Sequence, residues 1–436
     1  MKLKFSSLAY AALFTMFLAA AIALAWLQSQ AQEQEQNQSQ TQAGIDRMTR
    51  SESSGRGIVQ DPKHPILPIG ASAPDFNLPG VDGKNHKLSD YADAKVLVVL
   101  FESNHCPVMQ AYEERIKQIN DAYKSKGVAV VAINANNPQG CEIYELMYSD
   151  LPETLDAMKI RASYRKFDWP YLYDGETQEV ALKFGAQSTP HMFIFDQARK
   201  LRYEGAIDDN MAPSRVKAHY ATDAIDALLA GQPVPVEHSR SLGCSTKWIT
   251  NAPKVQAELA KVQSKPVKLD MASVEDIKKL RANSTGLPVH FLMLQCTDCR
   301  VVLAINFWSL KCKECLSDFD NREYTDYMYR TTRPFIYVNL STDSPRDSAA
   351  VLKFLQDHKS VDTNLQFNSP DARSFQEAFG LKWKLNQPFM VMIGQDGQII
   401  YQKEGKVDQV ELRRIALAHF PDDNFPGQFA YWNSKP

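Results

Sequence analysis

The chain has 436 residues, long enough for two or three domains, and 44% of them are hydrophobic against 23% charged, the balance of an ordinary globular protein. A formal net charge of −2 gives no reason to expect nucleic acid or an acidic surface as a partner. Seven cysteines are too few for a disulfide-held scaffold of this size, and an odd number leaves at least one without an intramolecular partner when the others pair.

Lys2 and Lys4 precede a run from Leu8 to Leu27 that carries no charge. Ala21-Ile22-Ala23, Ala23-Leu24-Ala25 and Ser29-Gln30-Ala31 have the small residues that signal peptidase cleaves after. The run is long for a signal peptide and just long enough to span a bilayer. Residues 1–31 therefore read as a signal peptide or an N-terminal membrane anchor. Either one exports the rest of the chain, to the periplasm or the outer face of the cytoplasmic membrane, where disulfides persist. Residues 32–64 are rich in Gln and lack a hydrophobic period; they are expected to be a disordered tether.

The first domain is expected over residues 65–250. Val96–Phe101 is a continuous apolar, β-rich run, the pattern of a buried central strand. Ser103-Asn104-His105-Cys106-Pro107 follows at once. Met109, Tyr112, Ile116, Ile119 and Tyr123 then recur at steps of three and four, which predicts an amphipathic helix ended by Gly127. Val128–Asn134 predicts the next, parallel strand. Cys141 falls in a loop. Helices are expected at 155–164, 178–184 and 216–229, with a short strand at Tyr171–Tyr173. Ser188-Thr189-Pro190-His191 opens a hairpin of 192–195 and Leu201–Gly205. The segment Gly243-Cys244-Ser245-Thr246-Lys247-Trp248 closes the domain as a tail.

Residues 251–285 are charged and helix-prone and read as a helical linker. A second domain is expected over 286–425: a strand at 289–294, the turn Cys296-Thr297-Asp298-Cys299, and a strand at 301–307. Phe307-Trp308-Ser309-Leu310-Lys311-Cys312-Lys313-Glu314-Cys315 then leads into a helix reaching Tyr329. A strand at 335–340, helices at 347–358 and 372–379, a short strand at 365–367, a hairpin of Phe389–Ile393 and 399–403, and a last helix at 408–419 follow; 426–436 is a tail. The two domains repeat one plan. A buried strand ends in Phe and is followed five residues later by Cys, as Phe101 to Cys106 and Phe307 to Cys312; a β-α-β unit follows, and a Pro, Pro190 or Pro388, opens a hairpin.

Two cysteines two residues apart, where a strand hands over to a helix, suit the making and breaking of a disulfide. Lys311 and Lys313 favour a thiolate at Cys312, Glu314 opposes them, and Cys315 is one turn on, placed to resolve a mixed disulfide. A structural disulfide, or a zinc half-site completed by Cys296 and Cys299, are the alternatives. Cys296 and Cys299 themselves read as a structural disulfide or an accessory redox pair; no His follows Cys299, so haem attachment is unsupported. Cys106 reads as a reactive thiol, alone or paired with Cys141 or Cys244, or as the relict of a lost site. His105 beside it reads as an ordinary turn or surface residue or as a group that polarises the thiol.

These motifs resemble the thioredoxin-like superfamily twice over: an α/β fold of two tandem domains, each a mixed sheet flanked by helices. The second domain is similar to envelope thiol-disulfide oxidoreductases carrying Phe-Trp-x-x-x-Cys-x-x-Cys, through Phe307-Trp308, Cys312, Cys315 and Pro388. The first resembles redoxins of the alkyl hydroperoxide reductase and thiol-specific antioxidant type. Ala73-Pro74-Asp75-Phe76, Asn104-His105-Cys106-Pro107, Thr189-Pro190 and the Gly243–Trp248 hexapeptide carry that likeness. There are departures: Ser103 and Ser188 stand where relatives often have Cys, and Met109 stands where a resolving Cys would fall. The first domain thus lacks a local partner for Cys106. Lys311 replaces the usual Trp before the first Cys of the second domain.

The resemblance implies an oxidoreductase in which Cys312 attacks, Cys315 resolves, and Gln387 and Pro388, with a cis bond between them, hold an extended substrate strand beside the sulfurs. Thr189 and Pro190 are the matching binding positions of the first domain. The implied partners are protein thiols and disulfides or a reductant of the thioredoxin type, with no metal and no cofactor. The alternatives are a thiol peroxidase using Cys106, with Ser103 near the peroxide, and a non-enzymatic interaction protein that keeps the folds as scaffolds.

Overall fold

The computed structural model describes residues 64–284, 301–330, 332–385, 387–421 and 427–434. The export segment, nearly all of the tether and the Cys296/Cys299 turn lie outside them. No helix among the described residues is long and apolar enough to cross a membrane.

A small hairpin of β1 (Asn77–Pro79) and β2 (Asn85–Lys87) precedes the first sheet. That lobe is built from β3 (Val96–Phe101), β4 (Val128–Asn134), β5 (Tyr171–Tyr173), β6 (Ser188–Thr189), β7 (His191–Phe195), β8 (Leu201–Gly205) and β9 (Cys244–Ser245). Its main sheet has the order β5-β4-β3-β7-β8. β3 runs parallel to β4 and antiparallel to β7. Every residue of β3 is buried, because helices cover both faces of a central strand. The helix Pro107–Tyr123 turns Val108, Met109, Tyr112, Ile116, Ile119 and Tyr123 inward, the face its periodicity predicts. Phe101, Phe184 and Phe193 meet edge-on at 5.2–5.7 Å in the core.

The second lobe contains β10 (Asp270–Ala272), β11 (Val302–Trp308), β12 (Phe335–Ser341), β13 (Thr363–Phe367), β14 (Phe389–Ile393) and β15 (Ile399–Glu404). Its sheet order is β10-β13-β12-β11-β14-β15. Without β10 this is the order of the first sheet, and β11 is likewise parallel to β12 and antiparallel to β14. The repeated plan read from the sequence is therefore a repeated topology.

Three boundaries differ from expectation. The segment 251–285 is more than a helical linker. After the helix Ala252–Gln263 it supplies β10, which pairs in parallel with β13, and the helix Val274–Arg281. The helix after Cys312 is broken at Asp318 into Lys313–Ser317 and Phe319–Tyr329. The expected tail forms the helix Gln428–Asn433, which buries Trp432 in the core cluster of β11, β12 and β14.

The lobes share a polar seam inside one compact unit. Asp150, buried in the first lobe, takes Arg161 on one carboxylate oxygen and Arg414 of the second lobe on the other, each at 2.6 Å. Tyr329 donates to the Ser149 carbonyl at 2.8 Å, and Tyr431 to Glu113 at 2.7 Å. Cys141 and Leu146 join an apolar cluster with Val302, Tyr329 and Phe335 across the same seam.

Candidate redox sites

Cys312 and Cys315 form a disulfide at the carboxyl end of β11. Three interactions set their loop. The Ser309 hydroxyl donates to one oxygen of Asp343 at 2.7 Å, and the Leu310 N–H to the other at 2.9 Å. The Cys312 N–H donates to the Ser309 carbonyl at 3.0 Å. Asp343, buried just past β12, thus holds the turn from the neighbouring strand. Cys312 is the N-cap of the helix Lys313–Ser317, and its sulfur accepts the Cys315 N–H at 3.1 Å. That donor is in place to stabilise a Cys312 thiolate. The sulfurs point inward while Lys311, Lys313 and Glu314 are exposed. Trp308, Phe319, Val351 and Leu355 pack around the pair, with Val267 and Leu269 against the cluster.

β14 lies antiparallel to β11 with Phe389 opposite Phe307, which carries Pro388 to the end of β11 where the cysteine turn begins. The Pro388 carbonyl accepts from Gly405 N–H at 2.8 Å, and Gln387 N–H donates to Lys384. Among the described residues the cis bond is Thr189–Pro190, in the first lobe; Gln387–Pro388 is not cis.

In the first lobe Cys106 is the fully buried N-cap of the helix Pro107–Tyr123. Glu153 organises the turn before it. Its carboxylate accepts from the backbone N–H of Asn104 (3.2 Å) and His105 (2.7 Å), from Asn134, and lies 2.7 Å from His105 Nδ1. Burial favours its neutral form, but His105, Asn134 and Asn104 together hold it below the usual carboxylate range. His105 Nε2 is buried without a hydrogen-bond partner. The Ser103 hydroxyl is paired with Thr189 Oγ1 at 2.9 Å.

The Cys106 thiol donates to the Thr189 carbonyl at 3.1 Å and accepts from the Cys244 N–H at 3.4 Å. Burial pushes this thiol up. The Cys244 side chain, His105 and the backbone N–H groups of Met109 and Cys244 outweigh burial and bring it down to about 6. The Cys244 thiol moves the other way, well above its ordinary value, through its hydrogen bond to Cys106 and then through burial. Cys141 is also pushed up, chiefly by burial. It lies in the seam between the lobes and is not among the groups bonded to Cys106.

A pH dependence follows for the reduced protein. The Cys106 pKa is depressed from an ordinary 9.0 to about 6, so its thiolate contributes stability that is full above pH 9 and lost as pH falls through about 6. The thiolate absorbance at 240 nm that disappears on Cys106→Ser should have its midpoint near pH 6. A midpoint near the ordinary value would contradict this environment.

The structure thus brings Cys106, Cys244 and Thr189 into one site, with Pro190 next in the turn, and Cys312 with Cys315 in another. Sequence reasoning missed Glu153 and Asp343. Glu153 is 48 residues from His105 and Asp343 is 34 from Ser309, with no local pattern to link them.

Comparison with known proteins finds likeness over part of the chain. The AhpC/TSA family model matches residues 69–204. Thiol-disulfide oxidoreductase ResA of Geobacillus thermodenitrificans (strain NG80-2) is 23% identical over 151 residues, 35% of this chain and 75% of that protein. Its namesake from Geobacillus kaustophilus (strain HTA426) is 31% identical over 71 residues, 16% of this chain, and the chain spans only 40% of that relative. Among solved structures, an uncharacterized conserved protein from Geobacillus kaustophilus is 36% identical, with 42% of this chain and 93% of that one covered and a TM-score of 0.38. Residues 69–204 are an AhpC/TSA redoxin domain, and thiol-disulfide oxidoreductases are among the proteins to which the chain is similar.

Proposed function

We propose that the protein is a thiol-disulfide oxidoreductase that exchanges dithiols and disulfides through Cys312 and Cys315. The observation that carries this reading is the local geometry of the pair. A disulfide closes across the first turn of a helix, the Cys312 sulfur accepts a backbone N–H, and Asp343 fixes the loop from the next strand. In the reduced form Cys312 attacks a substrate disulfide and one substrate sulfur leaves as a thiol. Cys315, deprotonated, then attacks the Cys312 sulfur of the mixed disulfide and releases the second. Substrates of this reading are protein thiols and disulfides, with a reductant of the thioredoxin type as the other partner.

The charge-free run from Leu8 to Leu27 behind Lys2 and Lys4 supports placing this chemistry outside the cytoplasm, in the periplasm or at the outer face of the membrane. Recovery of the protein in the periplasmic or membrane fraction fits that placement; recovery in the cytoplasm rejects it.

A second reading, hydroperoxide reduction at Cys106, is favoured by the depressed pKa of that thiol. Paired assays separate the two. Exchange predicts that insulin reduction with a dithiol donor survives Cys106→Ser almost unchanged. Peroxidase activity predicts hydroperoxide consumption that Cys106→Ser alone abolishes.

A further inference from the structure

The Glu153 carboxylate does more at the Cys106 turn than hold its backbone. Glu153 stands just before Thr154, whose hydroxyl caps the helix Leu155–Arg165 by accepting the Ala157 N–H at 3.2 Å, so a helix start anchors it. The Asn104 side-chain amide donates to the Pro152 carbonyl at 2.8 Å and ties the two segments together. Oε1 of Glu153 takes both the His105 N–H and the His105 ring nitrogen Nδ1, each at 2.7 Å. Oε2 takes the Asn104 N–H and the Asn134 amide, and the Asn136 N–H on Asn134 Oδ1 fixes which way that amide faces. Asp343 does the structural half of this work in the second lobe. It accepts the Leu310 N–H and the hydroxyls of Ser309 and Ser341, with no ring among these partners. The imidazole is the addition made at Cys106.

Glu153 is also the charged acid of its surroundings. Glu102, Tyr171, Tyr173, Cys141 and Tyr324 lie in its field, and burial favours the neutral form of each. Glu153 moves the other way, towards the carboxylate. A carboxylate only accepts, so the hydrogen of this bond sits on His105 Nδ1, and Nε2 is left buried without a partner. On the far side Cys106 is faced by Cys244 and His105, with Lys247 and Glu145 beyond Cys244. His105 is the charged neighbour that draws the Cys106 thiol down.

We propose that Glu153 is a positioning residue for Cys106: it orients the His105 ring and supplies its counter-charge, and through the ring it keeps Cys106 in the form that attacks. Carboxylate, ring and sulfur then alternate in sign, and the thiol proton goes to solvent. The proposal rests on a reactive Cys106, as hydroperoxide reduction does, but on no particular substrate. Its sign separates it from two other roles. Acting directly on the sulfur, the Glu153 charge would oppose the thiolate, and removing it would lower the midpoint of ionisation. Acting only as a support for the turn, it would leave the midpoint where it is when glutamine takes its place. Acting through the ring, its removal strands a positive ring in the interior; the ring gives up its proton, and the midpoint rises.

The test titrates the 240 nm thiolate absorbance of the reduced full-length protein, with the trace of Cys106→Ser in the same background subtracted. No peroxide is present, so failure here is distinct from failure of hydroperoxide reduction. Glu153→Gln should raise the midpoint from about 6 by at least about one pH unit. His105→Asn keeps an N–H for Glu153 but removes the ring; it should give a similar rise with an unchanged thermal transition. The two act in series, so Glu153→Gln/His105→Asn should titrate no higher than His105→Asn alone. Insulin reduction at Cys312 and Cys315 should be unchanged in Glu153→Gln, which reports a folded second lobe. Should Glu153→Gln fail to fold, His105→Asn decides alone. A midpoint still near 6 in His105→Asn, a constant or lowered midpoint in folded Glu153→Gln, or additive rises in the double variant would overturn the proposal.

Discussion

Replacing Cys312 by serine should lower dithiol-driven disulfide reduction by at least about a hundredfold, as expected when a nucleophile is removed from a two-step exchange. A serine hydroxyl is not ionised near neutral pH and cannot form the mixed disulfide. The surroundings tolerate the change well: Ser is close in size to Cys, and the Cys315 N–H keeps an acceptor. Loss of activity with an unchanged far-UV spectrum and thermal transition therefore reports chemistry. The two sulfurs act as a unit, so Cys312→Ser/Cys315→Ser should be no worse than Cys312→Ser alone. Retention of more than a tenth of the wild-type rate in Cys312→Ser would move the reaction to another cysteine.

Asp150→Ala should destabilise the protein by about 3–5 kcal/mol, the usual cost of removing one partner from a buried ion pair. Asp150 is fully buried and receives Arg161, also buried, together with Arg414 from the other lobe. Alanine leaves the Arg161 guanidinium in the interior with only neutral acceptors, the Asn104 carbonyl, Ser149 and Tyr431. It also removes the carboxylate that joins helices of the two lobes. Urea denaturation followed by intrinsic fluorescence checks both consequences: a lower midpoint, and a single transition that splits as the lobes unfold separately. Asp150→Asn keeps a hydrogen-bond acceptor and should cost less. An unchanged midpoint in Asp150→Ala would mean the seam contributes little.

The parts of the fold legible in the sequence were those with strong local patterns. β3 and β4 stand out as uninterrupted apolar runs, and the helix after Cys106 as a clean three-and-four stripe. The Phe-to-Cys spacing marks the repeat in the sequence alone. What escaped was set by contacts far apart in the chain. β10 is three residues long and mostly exposed, and it is a strand only because β13 offers it an edge. Gln428–Asn433 is helical where Trp432 finds the core and Tyr431 finds Glu113 and Arg161.

The cysteines divide the same way. Cys312 and Cys315 declare themselves by spacing, and the helix start beside them is local. Cys106 and Cys244 are 138 residues apart, and only pairing of β6 with β9 brings them together. With Met109 where a local partner would fall, the Cys106 thiol is met instead by the Cys244 N–H and the Thr189 carbonyl. The carboxylates that hold both turns, Glu153 and Asp343, come from neighbouring segments for the same reason.

Trapping on Cys315→Ser addresses exchange at Cys312 and Cys315 most directly. The reduced variant, incubated with a disulfide-containing peptide and quenched in acid, should accumulate a mixed disulfide that proteolysis and mass spectrometry locate on Cys312. Absence of that adduct, or its appearance on another cysteine while the wild type turns over the same peptide, would contradict the account.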